Sequence, residues 1–577
     1  MKELLSANAM QLLEQRYLVR NVSGKIIETP MQMFRRVADA VARAELNWHD
    51  ADKVKQYANR FFEAMSSLQF LPNSPTLMNA GTEHAQLSAC FVLPIENSID
   101  NIFQTLHAAA IIQEQGGGTG FDFSAIRQQE EVYKAGNGTA SGPIAFLSLF
   151  NAATAAIKQA GKRRGANMGV LQVSHPDILE FIRAKALPET LQHFNLSVCI
   201  SDDFMNAVQH DHAWQLFIPG SKTVFETIPA RIIWKDILHH AWLSGDPGLL
   251  FIDTIQKKQA LPQLGRITCT NPCGEVPLLP YESCNLGSVN VAAFVQDEKI
   301  NWTSLAEIVH LAVRFLDNVI EVNQYPLAAI EEITKANRKI GLGIMGWADM
   351  LLQLRIPYDS DAAVAQAAAL MRFVQSESVK ASAMLAKQRG AFPNWEKTKQ
   401  PNEIPLRNTT LNSIAPTGSI SMIANVSPSI EPLFALAYHR KHILDGSPLP
   451  IMNQHVKKIL EEAGLWNDPL IKELKQFGSV AHMVSLPTYL RDMLKIAIEI
   501  PPMRHLQHQL AFQRYTDNAV SKTINLGHNA TEKMVADIFM EAWKGGAKGI
   551  TVFREQAERN VFIAGIPEAM HQCKACR

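Results

Sequence analysis

The sequence predicts a large α/β fold, either a barrel or a wide sheet, behind a short helical N-terminal region. Three observations predict it. The chain has 577 residues, more than one ordinary two-layer domain uses. From Phe70 onward, short apolar runs alternate with longer segments of helical periodicity, the pattern of repeated β–α units. These units continue to Arg554 without an internal repeat or a low-complexity linker.

Residues 1–65 read as helical. Thr29 offers an N-cap ahead of Pro30 at the first helical position, and Phe34, Val37 and Val41 recur at helical spacing. Gly24 marks a turn before this helix. Residues 66–555 read as the α/β domain, with candidate strands at 89–93, 169–173, 196–200, 248–252, 339–344, 411–415 and 549–553. Helices separate them. In 304–322, Ser304 and Glu307 have capping-box spacing, and Ile308, Leu311, Phe315 and Val319 form an apolar stripe. Periodicity is lost after Arg554, so 556–577 read as a mobile tail.

Composition excludes several function classes. Lys+Arg and Asp+Glu are both 55, so no basic face for a nucleic-acid polymer is expected. No apolar run reaches the length of a membrane span, and Met1-Lys2-Glu3-Leu4-Leu5 lacks a signal-peptide core. Seven cysteines in so long a chain do not make a secreted disulfide scaffold. They suit a reducing cytoplasm, where paired thiols serve catalysis or metal binding.

Asn271-Pro272-Cys273-Gly274-Glu275 places an amide, a thiol and a carboxyl group in five residues that proline and glycine keep out of a helix. Removing a hydroxyl from an unactivated sugar carbon is hard by acid–base chemistry, whereas a radical on the neighbouring carbon makes it feasible. A cysteine thiyl can take that hydrogen. A carboxylate must then accept the adjacent hydroxyl proton, and an amide can hold the diol. Two outlying cysteines, Cys90 and Cys284, are candidates to deliver electrons and become a disulfide. Any one of these thiols alone would read as an ordinary buried cysteine; the loop with two further cysteines does not.

On these residues the chain resembles the large catalytic subunit family of ribonucleotide reductases, over roughly 5–554. Phe70-Leu71-Pro72-Asn73-Ser74-Pro75-Thr76-Leu77-Met78-Asn79-Ala80-Gly81 looks like the family segment before the first redox cysteine, and 338–346 and 517–525 also look like family segments. The resemblance implies a ten-stranded α/β barrel with 271–275 as a finger loop through its centre. It implies Cys273 as the transient thiyl, Glu275 and Asn271 on the sugar hydroxyls, and Cys90 with Cys284 as the reducing pair. Ser74, Ala89 and Gly118 match substrate-touching positions, and Pro272 and Gly274 share the loop.

After the candidate strand 411–415, Pro416-Thr417-Gly418-Ser419-Ile420-Ser421 reads as a turn into a helix, whose backbone N–H groups and hydroxyls suit an anion. Its family counterpart binds the substrate diphosphate. Gly116-Gly117-Gly118-Thr119-Gly120 fails the spacing of a dinucleotide fingerprint and reads as a tight turn with close backbone packing, or as an approach to ribose. Gly161-Lys162-Arg163-Arg164-Gly165 resembles the region near a deoxynucleotide effector, and Asn97, Ser98, Arg127 and Lys162 fall at effector positions. Cys573 and Cys576 have C-x-x-C spacing, which suits a shuttle dithiol reduced by thioredoxin; with His571 they supply three of the four ligands a zinc site wants. Cys199 and Cys269 read as packing.

The radical source divides the family. Relatives served by a metal-bearing subunit use a tyrosine pair on a late barrel strand, but Gly549-Ile550-Thr551-Val552-Phe553-Arg554 has none. Gly565 does not resemble a glycyl-radical loop. Adenosylcobalamin remains, and Lys548-Gly549-Ile550-Thr551-Val552 looks like that branch. The resemblance implies a cytoplasmic ribonucleoside-diphosphate reductase, a homodimer with a deoxynucleotide effector and no room for an ATP-sensing cone ahead of the helical region. The alternatives are a subunit served by a radical-generating partner and a nucleotide-binding regulatory paralogue.

Overall fold

The computed structural model describes residues 5–129, 140–159, 163–187, 190–398, 404–439 and 450–555. At its centre, ten extended segments form two parallel halves. The first half contains β1 (Cys90–Leu93), β2 (Gly118–Asp122), β3 (Asn167–Gln172), β4 (Phe194–Ile200) and β5 (Gly248–Phe251), each parallel to the next. The second contains β6 (Ser283–Asn290), β7 (Ile340–Met345), β8 (residues 411–414), β9 (Thr523–Leu526) and β10 (Gly549–Arg554). Here β6 runs parallel to β7, and β9 to β10. Two antiparallel seams, β1 on β6 and β5 on β10, close the ring. This is the ten-stranded α/β barrel that the resemblance implied.

The 411–415 expectation holds only in part. β8 joins its neighbours through single parallel bridges, Leu342 to Asn412 and Ile414 to Val520. It crosses β7 so closely that a Cβ on Gly343 would lie 2.3 Å from the Ser413 carbonyl oxygen, which explains glycine there.

Helices cover the outside of the ring. In Trp302–Val322 the expected stripe is buried, but the cap is Asn301, whose side chain accepts from the Ser304 N–H, and not Ser304 itself. The N-terminal helices Ala7–Arg16, Pro30–Ala42 and Ala51–Ser66 share one hydrophobic core with the second half-barrel, where Phe61 and Phe70 both meet Phe315 edge-on. Thr29 caps the second helix through a full capping box.

A buried ion network fastens the same junction. Arg314 and Arg389 hold Glu45, while Arg389, Arg338 and Arg407 surround Asp317. Burial alone would raise the Asp317 pKa, but the three guanidinium groups outweigh it and hold it at about 2.

A separate cluster fills part of the barrel interior. It joins Cys90, Met168, Val170, Cys199 and Leu250 to Cys269, Val276, Leu278 and Cys284. No helix among the described residues is long and apolar enough to cross a membrane.

Candidate active site

The finger is a hairpin inserted into the ring. Cys269 pairs with Leu278 and Thr270 with Pro277, leaving residues 271–276 as the tip. Asn271 organises that tip. Its carbonyl accepts the Gly274 N–H at 3.1 Å, and its Oδ1 accepts the Val276 N–H at 2.9 Å. The first bond closes a β-turn with Pro272 at its second position, where the fixed proline φ fits, and Gly274 follows at φ +80°. With Oδ1 engaged, Nδ2 is the part of the Asn271 side chain left to donate.

Glycines make room for the hairpin. A Cβ on Gly120 would stand 1.8 Å from the Thr270 carbonyl oxygen, and one on Gly118 would stand 2.9 Å from the Pro272 ring. The reading of 116–120 as a tight turn is therefore corrected in part. Gly116 does turn, at φ +95°, but Gly118 and Gly120 lie in β2, and what they permit is close approach of the finger.

Two cavities meet at the fingertip. The smaller, about 110 Å³, is lined by Ser74, Ala89, Cys90, Gly118, Asn271, Pro272, Cys273 and Glu275, and by Pro416, Thr417, Gly418, Ser419 and Ile420. Gly274 faces the larger cavity instead, and Cys284 lines neither. Asn271 and Glu275 are buried and Cys273 is half-buried.

Cys284 stands directly opposite Cys90 across the β1–β6 seam, and neither is in a disulfide. Burial pushes the Cys284 thiol pKa up; Lys339 opposes this, while Glu282 and Glu275 add to it. Cys284 is thus held as a thiol, and its partner Cys90 lines the small cavity. Cys199 and Cys269 are also buried thiols with raised pKa values, burial being the main cause, which fits packing.

The turn at 416–421 does lead into a helix, Gly418–Ala424. Thr417 precedes it in the left-handed region at φ +56°. Its hydroxyl accepts from the Ser429 N–H at 2.7 Å and makes no cap bond to the helix, so side-chain capping leaves the first-turn N–H groups open toward the small cavity.

The larger cavity, about 410 Å³, has Cys273, Pro272 and Gly274 on one side. Its other walls come from β4, β5, the 425–435 segment, residues 520–523 and β10. Along β10, Ile550 and Val552 are buried in the outer core, whereas Gly549, Thr551 and Phe553 are more open and Thr551 is exposed. A barrel strand with an exposed inner residue borders real space. Among the described residues lining this cavity there is no tyrosine.

The structure also gathers three expected effector residues. The Asn97 side chain accepts the Arg127 N–H at 3.3 Å, and Ser98 caps the helix Ile99–Glu114. Lys162, Cys573 and Cys576 lie outside the described residues. No group of three metal-ligating side chains occurs among the described residues. Sequence reasoning missed Asn195, on β4, whose Nδ2 donates to the Pro272 carbonyl at 2.8 Å. A lone asparagine in an apolar strand was its one signal.

Comparison with known proteins gives three results. Residues 88–405 and 400–553 match the family described as "Ribonucleotide reductase, barrel domain", and residues 3–85 match "Ribonucleotide reductase, all-alpha domain". A vitamin B12-dependent ribonucleoside-diphosphate reductase of Thermoplasma acidophilum is 43% identical over 98% of this chain and 81% of its own, and one of Mycobacterium tuberculosis is 44% identical over 98% and 82%. Among solved structures, the Actinobacillus ureae class Id ribonucleotide reductase alpha subunit matches 96% of this chain and 98% of its own, with a TM-score of 0.79 at 25% identity.

Proposed function

The chain belongs to the ribonucleotide reductase family, and from that premise we propose that it reduces ribonucleoside diphosphates to 2′-deoxyribonucleotides with adenosylcobalamin as radical source. The observation that carries this reading is the position of Cys273, on the partition between the small cavity and the large one. One side fits a substrate; the other fits a cofactor.

The fit of the cofactor rests on the large cavity. Its volume of about 410 Å³ beside Cys273 would take the adenosyl arm of the cofactor, and not the whole corrin. Thr551 and Phe553 on β10, Leu433 and Phe434, and Asn195 would form its walls. Held there, adenosylcobalamin would supply the one-electron oxidation that turns the Cys273 thiol into a thiyl. Phe553 and its neighbours offer no tyrosine relay for a radical arriving from a second subunit.

The protein's own groups account for the rest. The Cys273 thiyl takes the 3′ hydrogen of the ribose, and the Glu275 carboxylate accepts the 3′-hydroxyl proton while Asn271 Nδ2 holds the diol. The 2′-hydroxyl leaves as water with a proton from the Cys90–Cys284 pair. In becoming a disulfide, that pair delivers two electrons and two hydrogens: one hydrogen leaves in the water and one goes to C2′. Glu275 then returns its proton to the 3′ oxygen, and Cys273 returns its hydrogen to C3′. One disulfide forms and one water leaves per ribose reduced. The open N–H groups of Gly418–Ala424, with Ser74, hold the diphosphate.

The same reading takes thioredoxin or a similar dithiol as the reductant that resets the pair through Cys573 and Cys576. It places a deoxynucleotide effector by Asn97, Ser98, Arg127 and Lys162, and it takes a second copy of the chain as partner. The test is turnover of CDP by the purified chain with dithiothreitol. dCDP is expected with adenosylcobalamin and none without it; no product with the cofactor overturns the reading.

A further inference from the structure

The reactive cysteine is held from both halves of the barrel. On its C-terminal side, the Glu275 carbonyl accepts from Ser413 Oγ at 2.9 Å and from the Ala519 N–H at 2.8 Å, both in the second half. On its N-terminal side, the Pro272 carbonyl accepts from Asn195 Nδ2 at 2.8 Å, in the first half, while the Pro272 ring lies against Gly118. The bonds from Gly274 and Val276 N–H that shape the tip both end on Asn271, whose own N–H donates to the Val276 carbonyl. They fix the turn but not the tilt of the peptide plane between Pro272 and Cys273. That plane sets the direction in which the Cys273 side chain leaves the backbone, and thus its reach into each cavity.

We propose that Asn195 is a positioning residue that fixes the Pro272–Cys273 peptide so that Cys273 Sγ serves the two cavities in turn. The inference rests on the functional reading above and extends it to a residue on the wall of the large cavity. Asn195 lines the large cavity and not the small one assigned to the ribose. It acts through the Pro272 carbonyl, and a misplacement of about 1 Å at a reacting atom costs on the order of 100-fold in rate.

The test compares Asn195→Ala and Asn195→Asp with the wild-type holoenzyme. Aspartate keeps the volume and loses the donor, so it decides the matter if the alanine variant does not fold. Binding of CDP is expected to stay within about threefold, and rates are compared at saturating adenosylcobalamin because Asn195 lines that cavity. Release of tritium from [5′-³H]adenosylcobalamin to water, which passes through the exchangeable Cys273 hydrogen, and dCDP formation are expected to fall together by about 10–100-fold. In the cofactor-free protein, deuterium exchange of the peptide spanning 271–276 is expected to quicken.

Three results would overturn the proposal: unchanged tritium release, unchanged exchange of the fingertip peptide, or a loss of turnover wholly accounted for by weaker CDP or corrin binding. If wild-type protein makes no dCDP with the corrin, the functional reading fails, yet the exchange comparison still decides the role of Asn195.

Discussion

Cys90 and Cys284 face each other as direct neighbours across the antiparallel seam between β1 and β6. Directly opposed residues have Cβ atoms about 4.5–5.5 Å apart, and a disulfide needs about 3.5–4.5 Å. A small local movement therefore suffices to join the two thiols. The register is what makes the pair, because a slip by one residue would set Ala89 or Phe91 against Cys284 instead.

Loss of either thiol is expected to block repeated turnover. Cys90→Ser or Cys284→Ser should bind CDP normally and yield less than about one dCDP per chain with dithiothreitol, since serine cannot give up the electrons. Peptide mapping of wild-type protein after turnover without reductant should find residues 90 and 284 cross-linked; a different linkage counts against the assignment. Cys573→Ser is expected to impair thioredoxin-driven turnover and spare the dithiothreitol assay.

Gly120→Ala tests whether the finger depends on the bare backbone of β2. The new methyl would fall 1.8 Å from the Thr270 carbonyl oxygen, which is backbone and cannot swing away. We expect a destabilisation of at least about 1–3 kcal/mol, with turnover falling by a larger factor than CDP binding. Thermal unfolding and steady-state kinetics measure both. A fully active variant would mean that the hairpin sits elsewhere.

Thr551→Trp should fill part of the large cavity. Thr551 is exposed on its wall, so the indole has space and the fold should tolerate it. Affinity for adenosylcobalamin, read by absorbance titration, is expected to drop at least about tenfold, whereas CDP binding should not change. Equal loss of both ligands would place them in a single site.

Asp317 gives a pH prediction. Its folded pKa, about 2, lies below the ordinary 3.8, so its contribution to stability is complete above about pH 4 and is lost as pH falls through about 2. Asp317→Asn should destabilise at neutral pH by about 3–5 kcal/mol, since Arg338, Arg389 and Arg407 lose their buried counter-charge. The gap between wild type and variant, measured by denaturant unfolding, should narrow as pH drops from 4 toward 2. A gap independent of pH would show that the aspartate charge is not what the network uses.

Six of the seven expected strands appear as strands, with shifted ends, because their apolar runs are visible in the chain. Three other barrel strands were not legible. Gly118–Asp122 hides behind glycines that serve the finger. Ser283–Asn290 is small and polar, yet all eight residues are buried, with Asn285 and Asn290 donating Nδ2 to the Leu316 and Leu68 carbonyls, so no alternation of polarity marks it. Thr523–Leu526 shows its inner Thr523 and Asn525 to the large cavity, which weakens its apolar signal.

By itself the sequence determined which chemical groups are available: the amide, thiol and carboxyl of Asn271–Glu275, two further cysteines, a hydroxyl-rich turn at 416–421, and a β10 without tyrosine. Those are properties of side-chain identity and near spacing, and folding does not alter them. Only the tertiary structure decided that Cys90 meets Cys284, that Cys273 divides two cavities, and that Asn195 reaches the Pro272 carbonyl. Each of these depends on strands far apart in the chain pairing in one register as the ring closes, and no local propensity encodes that register.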